Sequence, residues 1–170
     1  RARTELAAPS SSSALPDDKR LYQLNDGTQL YEADPERLPE VSEVVDTLRG
    51  MGLPQEAFSG YRVYLLPFSM GDTSGLGTSG YALIGAPALG REVIPDQVPV
   101  TVAHEFGHHI QLTWLGESYR SNLSGWRSYM RLRGIPGWVD SGQVNSLQWL
   151  ESTEETYAED VRVLFGPVRA

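Results

Sequence analysis

A chain of 170 residues, 40% hydrophobic and 21% charged, has the composition of a globular protein and is long enough to bury one real core, so a single domain is expected. Its formal charge of −8 argues against a nucleic-acid partner, which calls for a basic face, and no apolar run approaches the roughly 20 residues that a membrane span needs. The lack of cysteine excludes disulfides, thiolate catalysis and sulfur ligation of a metal.

Residues 1–18 hold Ala7-Ala8-Pro9, a serine run over 10–13 and Pro16, too little apolar surface to order themselves, and read as a disordered linker or tether. The chain starts at Arg1 without a charged-then-apolar leader, so it is expected to be a processed piece of something longer, with one folded domain over 19–170. Residues 20–24 and 28–32 alternate apolar and polar about Asn25-Asp26-Gly27, the pattern of a β-hairpin. From Asp34-Pro35 onward, Leu38, Val41, Val44, Val45 and Leu48 form one stripe ended by Gly50 and Gly52, predicting an amphipathic helix that backs a sheet.

The aromatic and β-branched run 61–66, closed by Pro67, predicts a central strand. Residues 69–80 are too rich in glycine for regular structure. They hold neither phosphate-loop pattern and no lysine, so a mobile rim loop is expected there rather than an anion cradle. A short strand, Tyr81-Ala82-Leu83-Ile84, follows.

The next helix is punctuated by Asp96 as N-cap, Pro99 in the first turn and Gly116 at the end. It carries His104-Glu105-Phe106-Gly107-His108. Two histidines four apart share one helix face, so both imidazoles reach one cation. Glu105 points to the side, where it serves as general base toward a water on the metal, the H-E-x-x-H arrangement of zinc peptidases. The chain has only three histidines, and His109, about 100° round from His108, cannot share that metal and is read as structural. Residues 121–133 suggest a further short helix with Trp126, Tyr129, Met130 and Leu132, and residues 147–165 a last helix stopped by Gly166-Pro167.

A catalytic zinc takes three protein ligands and one open position, so a further carboxylate is needed, and the acidic last helix is its source. Glu155 and Glu159 lie one turn apart. One can ligate while the other accepts the ring N–H of a ligating histidine, expected to be His104, and the small Ala158 between them lets two helices approach. Glu151, a turn earlier and also followed by a glutamate four residues on, is the fallback, and Glu151 or Asp160 on the metal would overturn this register.

At these two motifs the chain resembles the gluzincin metallopeptidases, in particular the catalytic domain of anthrax lethal factor and the secreted Pro-Pro endopeptidases, whose glutamate helix reads E-x-x-A-E, here Glu155-Thr156-Tyr157-Ala158-Glu159. The resemblance spans roughly residues 61–165. It implies a compact α+β zincin (minigluzincin-like): a small twisted sheet over an active-site helix, then a glutamate helix. It also implies one Zn2+ held by His104, His108 and Glu155, with Glu105 as base and Glu159 supporting the ligands. Those relatives carry an oxyanion-stabilising tyrosine seven positions before the ligand glutamate, where this chain has Gln148; Gln148, Tyr119, Tyr129 and Tyr157 are the candidates for that task, and a Pro-Pro specificity is not inherited.

The function expected is therefore a zinc endopeptidase, monomeric and acting on an extended peptide, with export suggested by the linker and the likeness. The alternative is an interaction module that keeps zinc without turnover. Tyr81-Ala82-Leu83-Ile84, just before the metal helix, is expected to be an edge strand to which substrate adds, with Gly80, Tyr81, Ala82 and Leu83 as substrate-binding residues.

Overall fold

The structure, a computed structural model, describes residues 20–23, 29–70, 74–87, 89, 96–116, 119–140 and 151–167. The expected linker, the hairpin's turn tripeptide and Gln148 lie outside the described residues. Two short strands, β1 (Arg20–Gln23) and β2 (Gln29–Glu32), pair antiparallel as the alternation implied, and β4 (Phe68–Ser69) adds to β2.

The helix expected from Asp34 splits in two. Asp34 caps a single 3-10 turn, Pro35–Arg37, accepting from the Glu36 N–H at 3.1 Å. Pro39 then disfavours helical backbone at Leu38, whose ψ is 138°. Helix α1 (Val41–Gly50) restarts behind Glu40, whose N–H donates to Glu43 at 3.1 Å.

A second sheet is mixed and runs in the order β3 (Arg62–Leu65), β6 (Tyr81–Ile84), β5 (Gly75–Thr78). β6 is parallel to β3 and antiparallel to β5. Two expectations are corrected here. The strand over 62–65 is at the edge, not central, while Tyr81–Ile84 is the interior strand, paired on both sides; its Ala82 is fully buried, as an interior position demands. The glycine-rich stretch is also not wholly irregular, since it holds β4's Ser69 and all of β5.

One face of this sheet is apolar because alternate residues share a face. Ala82 and Ile84 pack with Val44 of α1 and with Val98 and Val102 of helix α2 (Gln97–Trp114). A second core cluster continues under α2, joining Ala103 and Phe106 to Met51, Ala57 and Val161. Helix α3 (Leu123–Arg133) is capped by Asn122, which accepts from the Gly125 N–H at 3.0 Å, and stopped by Gly134 at φ 67°. Its fully buried Trp126 meets Tyr157 of helix α4 (Thr153–Phe165) edge to face.

α4 begins later than expected among the described residues. Ser152 caps it, and Thr153 locks its start to Val139: the Thr153 N–H donates to the Val139 carbonyl at 2.9 Å and the Val139 N–H to Thr153 Oγ1 at 3.0 Å. The whole is α+β, and no helix among the described residues is long and apolar enough to cross a membrane.

Candidate metal centre

The site forms where α4 crosses α2, and the crossing depends on two small residues. A Cβ on Gly107 would lie 2.6–2.7 Å from backbone atoms of Ala158, so these helices touch main chain to main chain. Ala158 itself is fully buried. Glu155 and Glu159 flank it on α4, and His104 and His108 flank Gly107 on α2, which brings the four side chains together.

His104 Nε2 and His108 Nε2 converge on the same atom, Glu155 Oε2, at 3.1 and 3.3 Å. The ligand atoms of His104, His108 and Glu155 all lie within 4.8 Å of one another. Tetrahedral nitrogen and oxygen ligands at 2.0–2.1 Å from one ion stand about 3.4 Å apart, and the two histidine–glutamate separations match that spacing. The other ring nitrogens are occupied. His104 Nδ1 donates to Glu159 Oε2 at 3.4 Å, and His108 Nδ1 faces Gln111 Oε1 at 3.2 Å. Both rings therefore present Nε2 to the centre. The three ligand side chains are 12, 14 and 24% exposed, which leaves a path for an ion and for a fourth partner.

Glu159 is itself held by a two-pronged Arg162 contact, Nε to Oε2 at 2.8 Å and Nη2 to Oε1 at 2.7 Å. Burial works against its charge, but the bonds from His104 and Arg162 prevail and hold its carboxyl at about 2. Glu155 behaves alike: burial opposes ionisation, yet the two histidines bring it to about 2. Burial pulls His104 down while Glu155, Glu159 and the Glu105 charge push it up, and the carboxylates win, to about 9. Burial and the neighbouring His104 pull His108 down, but Glu155 and the Glu105 charge outweigh them and raise it.

Glu105 is the third carboxylate, 7% exposed, and burial raises it even though both histidines favour its charge. It lies against β5: a Cβ on Gly75 would stand 2.8 Å from its Oε1 and one on Gly77 2.8 Å from its Oε2, and the nearby Gly77 amide favours its charge. The pairing of β5 explains that contact. The Ser74 carbonyl accepts from the Gly85 N–H at 2.9 Å, so even-numbered residues of this strand turn their backbone groups toward β6. Gly75 and Gly77 therefore turn theirs to the outer edge, which no other strand occupies among the described residues.

The expected substrate residues are placed differently. The Gly80 N–H donates to His109 Nδ1 at 2.9 Å, and its carbonyl accepts from the Arg62 N–H at 2.9 Å. Ala82 and Leu83 have neighbours on both sides, and Tyr81 is exposed on the sheet's outer face beside Tyr64. Strand addition at Tyr81–Ile84 is thereby excluded. His109 is structural: accepting from Gly80, it donates through Nε2 to the Ala57 carbonyl at 3.2 Å, and burial lowers its pKa despite the Ala57 bond.

Of the tyrosines, the Tyr129 hydroxyl donates to Asp160 Oδ2 at 2.8 Å, and Tyr157 packs on Trp126 and Tyr129. At 100° per residue Tyr157 and Asp160 lie on the opposite side of α4 from Glu155 and Glu159, away from the metal group. The Tyr119 hydroxyl accepts from Arg127 Nε at 2.9 Å in an exposed position. Glu151, the alternative ligand, is exposed in the turn before α4.

Sequence reasoning missed Gly107, Gln111, and the pair Gly75 and Gly77. A glycine inside a long helix, as Gly107 is, signals a close crossing and could have been read as such. No family model matches the chain, and neither the curated proteins nor the solved structures contain a match to it.

Proposed function

We propose that this protein is a zinc-dependent endopeptidase of compact zincin type, with His104, His108 and Glu155 as metal ligands and Glu105 as general base. The observation that carries the reading is the convergence of two imidazole Nε2 atoms on one carboxylate oxygen, with a third, buried carboxylate beside them at an open strand edge. A purely structural metal site has no need of that third group.

A bound zinc would supply Lewis acidity there, polarising the scissile carbonyl and lowering the pKa of water toward about 7. Glu105 would take the proton of the attacking water as its oxygen bonds to the carbonyl carbon. It would return that proton to the amine as the C–N bond breaks. Burial suits Glu105 to this work, because a carboxylate raised toward neutral pH is a stronger base. Glu159, fixed by Arg162, would orient His104 through Nδ1, and Gln111 would orient His108.

The substrate would be an extended peptide laid along the outer edge of β5. The Gly75 N–H and the Gly75 and Gly77 carbonyls face that edge and offer main-chain bonds.

The placement of Tyr129 and Tyr157 on the far face of α4 favours a second reading, an interaction module that holds zinc without turnover. Cleavage of a diverse peptide library, with and without chelator and with Glu105→Gln in parallel, separates the two. Chelator-sensitive cleavage that Glu105→Gln abolishes supports the peptidase, while stoichiometric zinc without any cleavage refutes it.

A further inference from the structure

We propose that Gly75-Leu76-Gly77 is a positioning strand for Glu105: the two missing side chains let the strand lie directly on the glutamate, and the Gly77 N–H fixes its carboxylate at the open edge of the sheet. This inference rests on the reading of Glu105 as general base.

Gly75 and Gly77 pair with Ile84 and Ala82, so their Cα–H bonds point to the buried face of the sheet, toward α2. A Cβ at Gly75 would stand 2.7 Å from Thr101 Cγ2, 2.8 Å from Glu105 Oε1 and 2.9 Å from Glu105 Cγ. A Cβ at Gly77 would stand 2.5 Å from the Glu105 carbonyl oxygen and 2.8 Å from Glu105 Oε2. Neither glycine has a positive φ, so neither is needed for backbone freedom. Leu76, between them, points the other way and is exposed.

A glutamate side chain has three freely rotating bonds, and a buried one aimed at a cleft must be held if it is to meet a water in one place. Side-chain packing alone fixes the stem, not the carboxylate. A backbone amide does fix it, because the strand that carries it is paired to β6 and cannot turn. A strand edge left open for another chain ordinarily leaves its N–H groups to solvent. Here one of them is spent on Glu105, and the Gly75 N–H is the remaining amide of β5 facing outward.

The test reads amide hydrogen exchange in the whole 170-residue chain. Gly77 should exchange at least tenfold more slowly than Gly75, although both amides face the same open edge. Glu105→Ala should bring Gly77 to the rate of Gly75 and leave the β6 amides as they were. Equal rates at Gly75 and Gly77 in the parent, or protection of Gly77 that survives Glu105→Ala, would overturn the proposal.

A kinetic arm tests the consequence. Gly75→Ala meets only side-chain atoms, so it should displace the Glu105 carboxylate without displacing backbone. We expect kcat to fall tenfold or more with KM within twofold and zinc content unchanged, and no further fall when the same change is made in Glu105→Gln. An equal loss in both backgrounds refutes action through Glu105. Where Gly75→Ala does not fold, Thr101→Ser in the same chain removes the Cγ2 clash and leaves only the clash with Glu105. A parent that cleaves no peptide refutes the endopeptidase reading, and the exchange result then decides by itself whether the strand holds Glu105.

Discussion

Replacing Gly107 by alanine tests the construction of the metal centre without touching any ligand. The added Cβ would lie 2.7 Å from Ala158 Cα, against an ordinary separation of at least about 3.5 Å, so α4 must withdraw by about 0.8 Å. Both obstructing groups are main chain, and no side-chain rotation relieves them. Overpacking of this kind costs about 1–3 kcal/mol, offset by about 1 kcal/mol because alanine is the better helix former. The net loss of stability is thus small, about 0–2 kcal/mol. A metal held there would be hit harder: ligand distances are held within about 0.2 Å, and the moving helix carries Glu155 and Glu159 together. We expect zinc affinity to fall by a factor of about 100 or more while the metal-free melting temperature moves by a few degrees. Competition against a fluorescent chelator measures the first and a thermal melt with excess chelator the second. Gly50→Ala is the control, since nothing lies within 4 Å of a Cβ there, and it should leave zinc untouched. A Gly107→Ala protein that binds zinc as tightly as the parent would refute the account of the crossing.

Glu105→Gln should retain stoichiometric zinc and lose a factor of about 10²–10⁴ in hydrolysis, as read by metal analysis and peptide turnover. Glu155→Ala should lose zinc severely, whereas Glu159→Ala should lose about 10–100-fold in affinity, because Glu159 acts only through His104 and Arg162; equal losses in one titration would contradict that ranking. His109→Phe leaves the Gly80 N–H and the Ala57 carbonyl without their partner and should cost about 1–3 kcal/mol in denaturant unfolding while zinc stoichiometry stays at the parent value. Trp126→Ala empties a fully buried site between α3 and α4 and should cost about 3–5 kcal/mol by the same unfolding measurement.

Local rules made the two helices of the site legible in the chain. Histidines four apart share a face in any α-helix, and so do glutamates four apart, so the pairing of His104 and His108 with Glu155 follows once the two faces meet. The role of Ala158 followed from size alone. Strand order did not, because it is set by which apolar faces find each other at long range. Tyr81–Ile84 and Arg62–Leu65 are both short apolar runs, and nothing local says that the first lies inside the sheet and the second at its edge. The glycines of β5 misled for a physical reason. Glycine is common where a chain must turn, but it also occurs where another backbone or side chain comes too close for a Cβ, and only the position of α2 distinguishes the cases. The far-side placement of Tyr129 and Tyr157 likewise depends on where α3 docks.

The charges of the site argue for a divalent cation rather than an ion-pair cluster. Glu105, Glu155 and Glu159 place three carboxylates around two histidines, and Arg162 is the guanidinium bound to Glu159, which leaves a surplus of two negative charges. Burying that surplus is costly unless something positive sits among the three. Protonated histidines can neutralise it, as the raised pKa values of His104 and His108 express, but then both rings must donate to one oxygen of Glu155 while Glu105 stays buried with a backbone amide for company. A divalent ion matches the surplus in a single body. It would also use both Nε2 lone pairs and the shared Glu155 oxygen, a use that two protonated rings cannot make of them. Arg162 would then have a separate task, to keep Glu159 charged and aimed at His104 Nδ1, so that His104 would offer Nε2 and not Nδ1 to an ion.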